Sequence, residues 1–152
     1  MYLVDTNVIS AGAPSKHGPR QELVEWMDAS SDLLFLSVMT AAEVESGIAK
    51  ALRAGAKQKA EALQAWWALI EHIYGERILP VDLEVAHATG RILDKARAAG
   101  HTPGLADVVI AATAQVRDLA ILTRNVKHFT PFDVRFVDPF EALPRPSSRA
   151  GS

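Results

Sequence analysis

The chain contains no cysteine, so it builds no disulfide framework and offers no thiolate for zinc or redox chemistry, which suits a reducing compartment. It also lacks an excess of charge of either sign: 16 Lys and Arg stand against 18 Asp and Glu, for a formal net charge of −2. That excludes a global basic footprint of the kind that holds nucleic acid through counterion release, and leaves only local patches for such a contact. No apolar run is long enough to span a membrane, and no basic segment leads into a short apolar one as in a signal peptide, so the cytoplasm is the expected location. What the chain does have is apolar content. With 49% hydrophobic residues among 152, one core of ordinary size is feasible, and one domain over residues 1–143 is expected. Residues 144–152, rich in Pro, Ser, Arg and Gly, lack the apolar content to pack and are expected to form a disordered tail. There is no internal repeat.

Short branched apolar runs alternate with helical patterns. Tyr2-Leu3-Val4, Leu34-Phe35-Leu36-Ser37, Ile78-Leu79-Pro80-Val81 and Ala120-Ile121-Leu122-Thr123 each read as a buried strand that delivers polar residues at its C-terminal end. Arg135-Phe136-Val137 reads as a fifth, edge strand. Helical patterns cover Gln21 to Ala29, Thr40 to Ala54, Lys57 to Tyr74, Leu83 to Ala99 and Leu105 to Arg117. Such alternation predicts a mostly parallel sheet of about five strands, covered by helices on both faces and joined by right-handed crossovers. The helix pair between the second and third strands exceeds the needs of one crossover and is expected to pack as an arm on the sheet edge or on a partner. The adjacent Trp66 and Trp67 cannot both face inward on one helix, so one of them is expected to face a groove or a second subunit.

Four acidic or amide positions, far apart in the chain, stand at the edges of these runs: Asp5, Glu43, Asp107 and Asn125. Carboxylates in such places are costly through repulsion and desolvation unless a positive charge compensates them, and oxygen-only donors select Mg²⁺ or Mn²⁺ over zinc. Each alone has an ordinary explanation: Asp5 as a helix cap, Asp107 as a first-turn helix residue, Glu43 as a solvated surface residue. Jointly they point to metal-assisted phosphodiester chemistry at the carboxyl ends of the strands. Arg124, Lys127 and His128 lie beside them and are candidates to hold phosphate, against the plainer reading of a solvated loop. His17, His72, His87 and His101 are assigned no chemistry.

The segments Tyr2-Leu3-Val4-Asp5-Thr6-Asn7-Val8-Ile9-Ser10, Ser37-Val38-Met39-Thr40-Ala41-Ala42-Glu43-Val44-Glu45-Ser46-Gly47-Ile48, Asp107-Val108-Val109-Ile110-Ala111-Ala112-Thr113-Ala114 and Leu122-Thr123-Arg124-Asn125-Val126-Lys127-His128-Phe129 resemble, in order and spacing, the PIN-domain family. The nearest likeness is to VapC-like and FitB-like ribonuclease toxins of type II toxin–antitoxin systems. The resemblance implies an α/β/α sandwich, a Mg²⁺- or Mn²⁺-dependent endoribonuclease in which metal-activated water cuts RNA, and a cognate VapB- or FitA-like antitoxin. A homodimer, alone or within a larger toxin–antitoxin assembly, is also expected. By position, Asp5, Glu43 and Asp107 would be the catalytic acidic metal ligands, supported by Thr6, Asn7 and Thr123. The family's fourth acidic position falls between Thr123 and Phe129, where this chain offers Asn125 and His128. Two rival readings are a haloacid dehalogenase-like phosphatase and a non-catalytic PIN-like interaction module. The first needs a second carboxylate two residues after Asp5, where Asn7 stands.

Overall fold

A computed structural model describes residues 1–14 and 20–145; His17 and residues 146–152 of the expected tail lie outside them. The elements in chain order are β1 (Tyr2–Val4), α1 (Thr6–Ile9), α2 (Gln21–Ala29), β2 (Leu34–Ser37), α3 (Val38–Arg53), α4 (Lys57–Tyr74), β3 (Ile78–Leu79), α5 (Leu83–Ala98), α6 (Leu105–Val116), β4 (Ala120–Leu122), α7 (Val126–Phe129) and β5 (Phe136–Val137). The sheet has the order β3-β2-β1-β4-β5, and every pairing is parallel, with Tyr2 opposite both Leu34 and Ala120. Parallel neighbours require crossovers, and the helices that provide them cover both faces.

The period-2 alternation of side chains divides the interior in two. Leu3 and Ile121 point into one core, shared with Val85, Ala88 and Ile92 of α5, Val108 and Ala111 of α6, and Phe129 and Phe132. Val4, Leu34, Leu36 and Leu122 point into the other, with Leu23 and Met27 of α2, Val44 and Ile48 of α3, and Trp67 and Tyr74 of α4. This is the expected α/β/α sandwich, with all five strands parallel.

Local chemistry accounts for the helix starts. Asp5 caps α1 by accepting from the Thr6 N–H, Ser37 caps α3 through the Met39 N–H, and Asp82 caps α5 through the Val85 N–H. The Ser37 cap starts α3 at Val38, two residues before the expected Thr40. In α6 every residue from Val108 to Ala114 is buried, so this helix lies between α5 and the sheet and exposes only its ends. The α3–α4 pair packs on the sheet through Val44, Ile48, Ala60 and Trp67. Of the two adjacent tryptophans, Trp67 is buried and Trp66 is half-buried in a groove of about 290 Å³ between α2 and α4, beside the exposed Leu69 and Ile73.

Arg77 fastens the start of β3. Its guanidinium donates to the carbonyls of Ser31, Leu34 and Ile73 and stacks on Tyr74, 4.8 Å from the ring centroid. Burial pushes the Tyr74 phenol up to about 12, partly opposed by the Arg77 charge and reinforced by Asp28. The native state therefore keeps a proton that the unfolded chain releases near pH 10, and stability falls as pH rises through that window. We expect Tyr74→Phe to flatten the loss between about pH 10 and 12, a difference on the order of 2 kcal/mol at the upper end. Urea unfolding at stepped alkaline pH checks this; identical slopes in both chains would contradict it.

Candidate active site

β1 and β4 lie side by side, while the chain continues from β1 to β2 and β3 on one flank and from β4 to β5 on the other. The strand order thus reverses between β1 and β4, and ligands of open parallel sheets bind at the carboxyl end of such a point. Asp5 follows β1 and Thr123 follows β4, and the two meet there: Thr123 Oγ1 donates to Asp5 Oδ2 at 2.8 Å.

Asp5 is 4% exposed, and both its oxygens are held. Oδ1 accepts from the Thr6 N–H at 2.8 Å, and Oδ2 also accepts from Asn7 Nδ2 at 3.1 Å. Burial is the largest influence on this carboxyl and raises its pKa above the ordinary range. The Thr123 and Thr6 donors oppose the rise, the charge of Asp107 adds to it, and His128 opposes it. The Thr6 hydroxyl lies 2.9 Å from Glu43 Oε1 and 3.0 Å from Thr40 Oγ1. Its single proton goes to the carboxylate, an acceptor only, so Thr40 donates to Thr6. Glu43 is likewise raised, first by desolvation against the Thr6 hydrogen bond, then by the charges of Asp5 and Asp107. Asp107, in the first turn of α6, has its Oδ2 3.0 Å from His128 Nδ1. Since the carboxylate only accepts, the imidazole proton sits on Nδ1.

Asp5, Glu43 and Asp107 are thus brought within electrostatic reach of one another, with Thr6, Asn7 and Thr123 orienting them. Asn125 is exposed. Its backbone N–H donates to Thr123 Oγ1 at 3.0 Å, and its side chain makes no hydrogen bond within the group among the described residues. Lys127 and His128 line a cleft of about 320 Å³ with His101, Pro103, Gly104 and Asp107. Arg124 donates its backbone N–H to Asn7 Oδ1 at 3.1 Å.

Two of these residues were not singled out from the sequence. Thr40 sits one turn ahead of Glu43 on the same face of α3, a spacing that marks it once Glu43 is chosen. His101 lies in a linker with no neighbouring ligand-type residue, and only the packing of α7 against α6 brings it beside His128.

Among the described residues, no three acidic or histidine side chains already stand at the mutual spacing of an ion cage, and no buried side-chain nitrogen or oxygen lacks a partner. The fit to a cation therefore rests on charge and donor type. Three carboxylates, of which Asp5 and Glu43 are raised first by burial and further by the charge of Asp107, form an oxygen-only set that a hard divalent cation suits.

Comparison with known proteins agrees with this geometry. A family model, the PIN domain, matches residues 2–130, and the chain belongs to the PIN-domain family. It is similar to Toxin FitB of Neisseria gonorrhoeae, with 34% identity over 92% of this chain and 99% of that protein. It is also similar to VapC ribonuclease Y4jK of Sinorhizobium fredii, with 31% identity over 93% of this chain and 99% of that protein. Among solved structures, the crystal structure of FitAcB from Neisseria gonorrhoeae superposes with a TM-score of 0.78 at 34% identity, covering 92% of this chain and 99% of that one.

Proposed function

We propose that this chain is a metal-dependent endoribonuclease toxin of the VapC/FitB type, kept inactive by a cognate antitoxin. The observation that carries the reading is the convergence of Asp5, Glu43 and Asp107 at the strand-order reversal of a PIN-family sheet. The ribonuclease activity is supported by likeness to a VapC ribonuclease along nearly the whole chain.

In this reading Asp5, Glu43 and Asp107 hold a Mg²⁺ or Mn²⁺ ion. Such an ion supplies a more acidic water and neutralises charge building up at phosphorus. The chain's own residues prepare the place. Thr6, Asn7 and Thr123 orient the carboxylate oxygens, the Asp107 carboxylate holds His128 in the cleft lining through Nδ1, and Lys127 and Arg124 add positive charge for the RNA backbone. Water rather than the ribose 2′-OH is the nucleophile, so the products carry a 5′-phosphate and a 3′-hydroxyl. The phosphatase reading falls with the family assignment. A non-catalytic module is separated from a nuclease by metal binding.

Asn125 and His128 replace the fourth carboxylate, and neither adds negative charge to the site. One Mn²⁺ should bind tightly to the RNA-free chain and a second only weakly. Asn125→Asp should tighten the second ion by about 10-fold, or ~1.4 kcal/mol. Calorimetry with Mn²⁺ checks both; two tight ions in the unmodified chain, or none, would contradict this part of the reading.

The antitoxin reading is supported by likeness to a protein named as a toxin and to its solved FitAcB structure. An acidic centre accepts an arginine of the partner in place of a cation, and the groove lined by Trp66, Leu69 and Ile73 offers apolar anchorage for another part of the same partner. We expect a homodimer by light scattering, and loss of antitoxin binding by at least about 10-fold on Leu69→Asp. A monomer, or unchanged binding, would count against it. Among the described residues no helix is long and apolar enough to cross a membrane.

A further inference from the structure

Two arginines far apart in the sequence rest on one phenyl ring beside the carboxylate centre. Arg20 Cζ lies 5.2 Å from the Phe140 ring centroid and Arg124 Cζ lies 5.0 Å from it, both within the range of a cation–π contact. We propose that Arg20, Arg124 and Phe140 form a clamp for backbone phosphate of single-stranded RNA next to the scissile bond, in which Phe140 is the positioning residue. The inference rests on the RNA-cleaving reading above and extends it to residues outside the carboxylate group.

Placement ties the clamp to that group. The Arg124 backbone is bonded to Asn7 Oδ1 at 3.1 Å, and Asn7 Nδ2 reaches Asp5 Oδ2 at 3.1 Å, so the arginine is two hydrogen bonds from the buried carboxylate. Thr123, directly before it, is fully buried, which anchors Arg124 at its root, while its exposed guanidinium rests on the Phe140 ring. Arg20 comes from the other direction, at the N-cap position of α2. Phe140 is held by its own turn, its N–H donating to Asp138 Oδ1 at 2.9 Å, and it packs against the core on the α1–α4 face.

Charge says what the clamp takes. Two exposed guanidinium groups, each within 5.2 Å of one ring centroid, concentrate positive charge around that ring, and among the described residues neither is in an ion pair. Glu22 and Glu141 line the same groove as Arg20 and Phe140, and among the described residues neither forms an ion pair with Arg20 or Arg124. The face of the ring steadies the cations but cannot neutralise them, whereas a phosphodiester does so with paired N–H···O bonds. Stacking leaves the N–H edges of a guanidinium outward, and restricting both side chains before RNA arrives lowers the ordering cost of binding. A buried carboxylate centre repels the RNA backbone, so a cationic contact beside it is needed to bring a phosphate there.

The test uses the full chain, a fluorescein-labelled polyuridine strand and fluorescence anisotropy in chelator at several salt concentrations. Arg20→Ala and Arg124→Ala should each weaken binding by about 5- to 10-fold and each lower the slope of log affinity against log salt by about one. Phe140→Leu, which keeps apolar bulk without the aromatic face, should weaken binding as an arginine loss does, and Phe140→Trp should restore it. A packing role alone would move the melting temperature of Phe140→Leu and leave the salt slope as it was, and that result overturns the clamp. Cleavage of the same strand with Mn²⁺ is measured in parallel. Cleavage with unchanged affinity in both arginine variants overturns the clamp and leaves the nuclease reading standing. Binding that falls in the variants, without cleavage by the unmodified chain, overturns the nuclease reading and supports the clamp. No binding by the unmodified chain, or loss confined to antitoxin binding, overturns the clamp.

Discussion

Asp5→Asn, Glu43→Gln and Asp107→Asn are each expected to lower RNA cleavage by at least about 100-fold while leaving the fold intact, because each removes one charge from the set that would hold the cation. The three should not behave alike in stability. Asp5 and Glu43 have raised pKa values in the folded chain, so the native state keeps protons that the unfolded chain releases as pH rises through the carboxylate range. Their ionisation therefore costs stability, a cost that is absent at low pH and complete at neutral pH. The charge of Asp107 contributes to both shifts. Asp107→Asn should thus melt at a higher temperature than the unmodified chain at pH 7 in chelator, with the gain shrinking as pH falls through the raised carboxyl values. Asp5→Asn relieves repulsion too, but it places an amide N–H₂ where Asn7 and Thr123 both donate to Oδ2, so its gain should be smaller. Saturating Mn²⁺ should reverse the order in favour of the unmodified chain. Melting curves in chelator and in Mn²⁺, beside a cleavage assay, decide it. Normal cleavage by two of the three variants would remove the site assignment.

Phe129→Ala is expected to destabilise the chain by roughly 3–5 kcal/mol, the cost of a large cavity in a packed core. Phe129 is fully buried and heads the fully buried side chains by volume. Its ring meets Phe132 edge to face at 6.1 Å, within the core formed by β1, β4, α5 and α6. The effect extends to the site because α7 is only four residues long and has no side-chain cap. So short a helix has no stability of its own, and this one is held by the ring at its end. His128 and Lys127 precede that ring. Removing it should loosen the His128 contact with Asp107 as well as the core, so cleavage should fall even at temperatures where the variant is folded. Phe129→Leu should cost about 1–2 kcal/mol and keep most of the activity. Urea unfolding read with cleavage rates checks both, and a cost below about 1 kcal/mol for the alanine would contradict the account.

The legible parts of this chain are those governed by local pattern. Leu3 and Val4, adjacent and both apolar, require a strand buried on both faces, and the structure places them in different cores. The run from Val108 to Ala114 reads as a helix with no polar face, and it is buried all round. The cap at Asp5 is readable, because a short polar side chain after an apolar run is an ordinary helix start. The carboxylates could be chosen because acidic residues at the edges of apolar runs need a reason. What the sequence did not show depends on contacts between distant segments. Helix α7 has no periodicity to detect in four residues, and Phe129 holds it only through the tertiary core. The place of Asn125 after a strand marks it as a candidate ligand, but its backbone hydrogen bond to Thr123 Oγ1 is a turn contact that no local pattern reveals. Arg20 and Phe140, 120 residues apart by number, meet only because β5 runs parallel beside β4 and the chain then turns back at Asp138.

The proposed role of the three carboxylates at the carboxyl end of the sheet, metal-dependent cleavage of RNA, has a direct test. The most direct measurement incubates purified chain with RNA in Mn²⁺ or in chelator, beside Asp5→Asn, and maps the new ends chemically. Internal cuts that leave 5′-phosphate and 3′-hydroxyl ends are expected, absent in chelator and absent with Asp5→Asn. Cuts that persist in chelator, that end in a 2′,3′-cyclic phosphate, or that are made equally by Asp5→Asn would contradict that role.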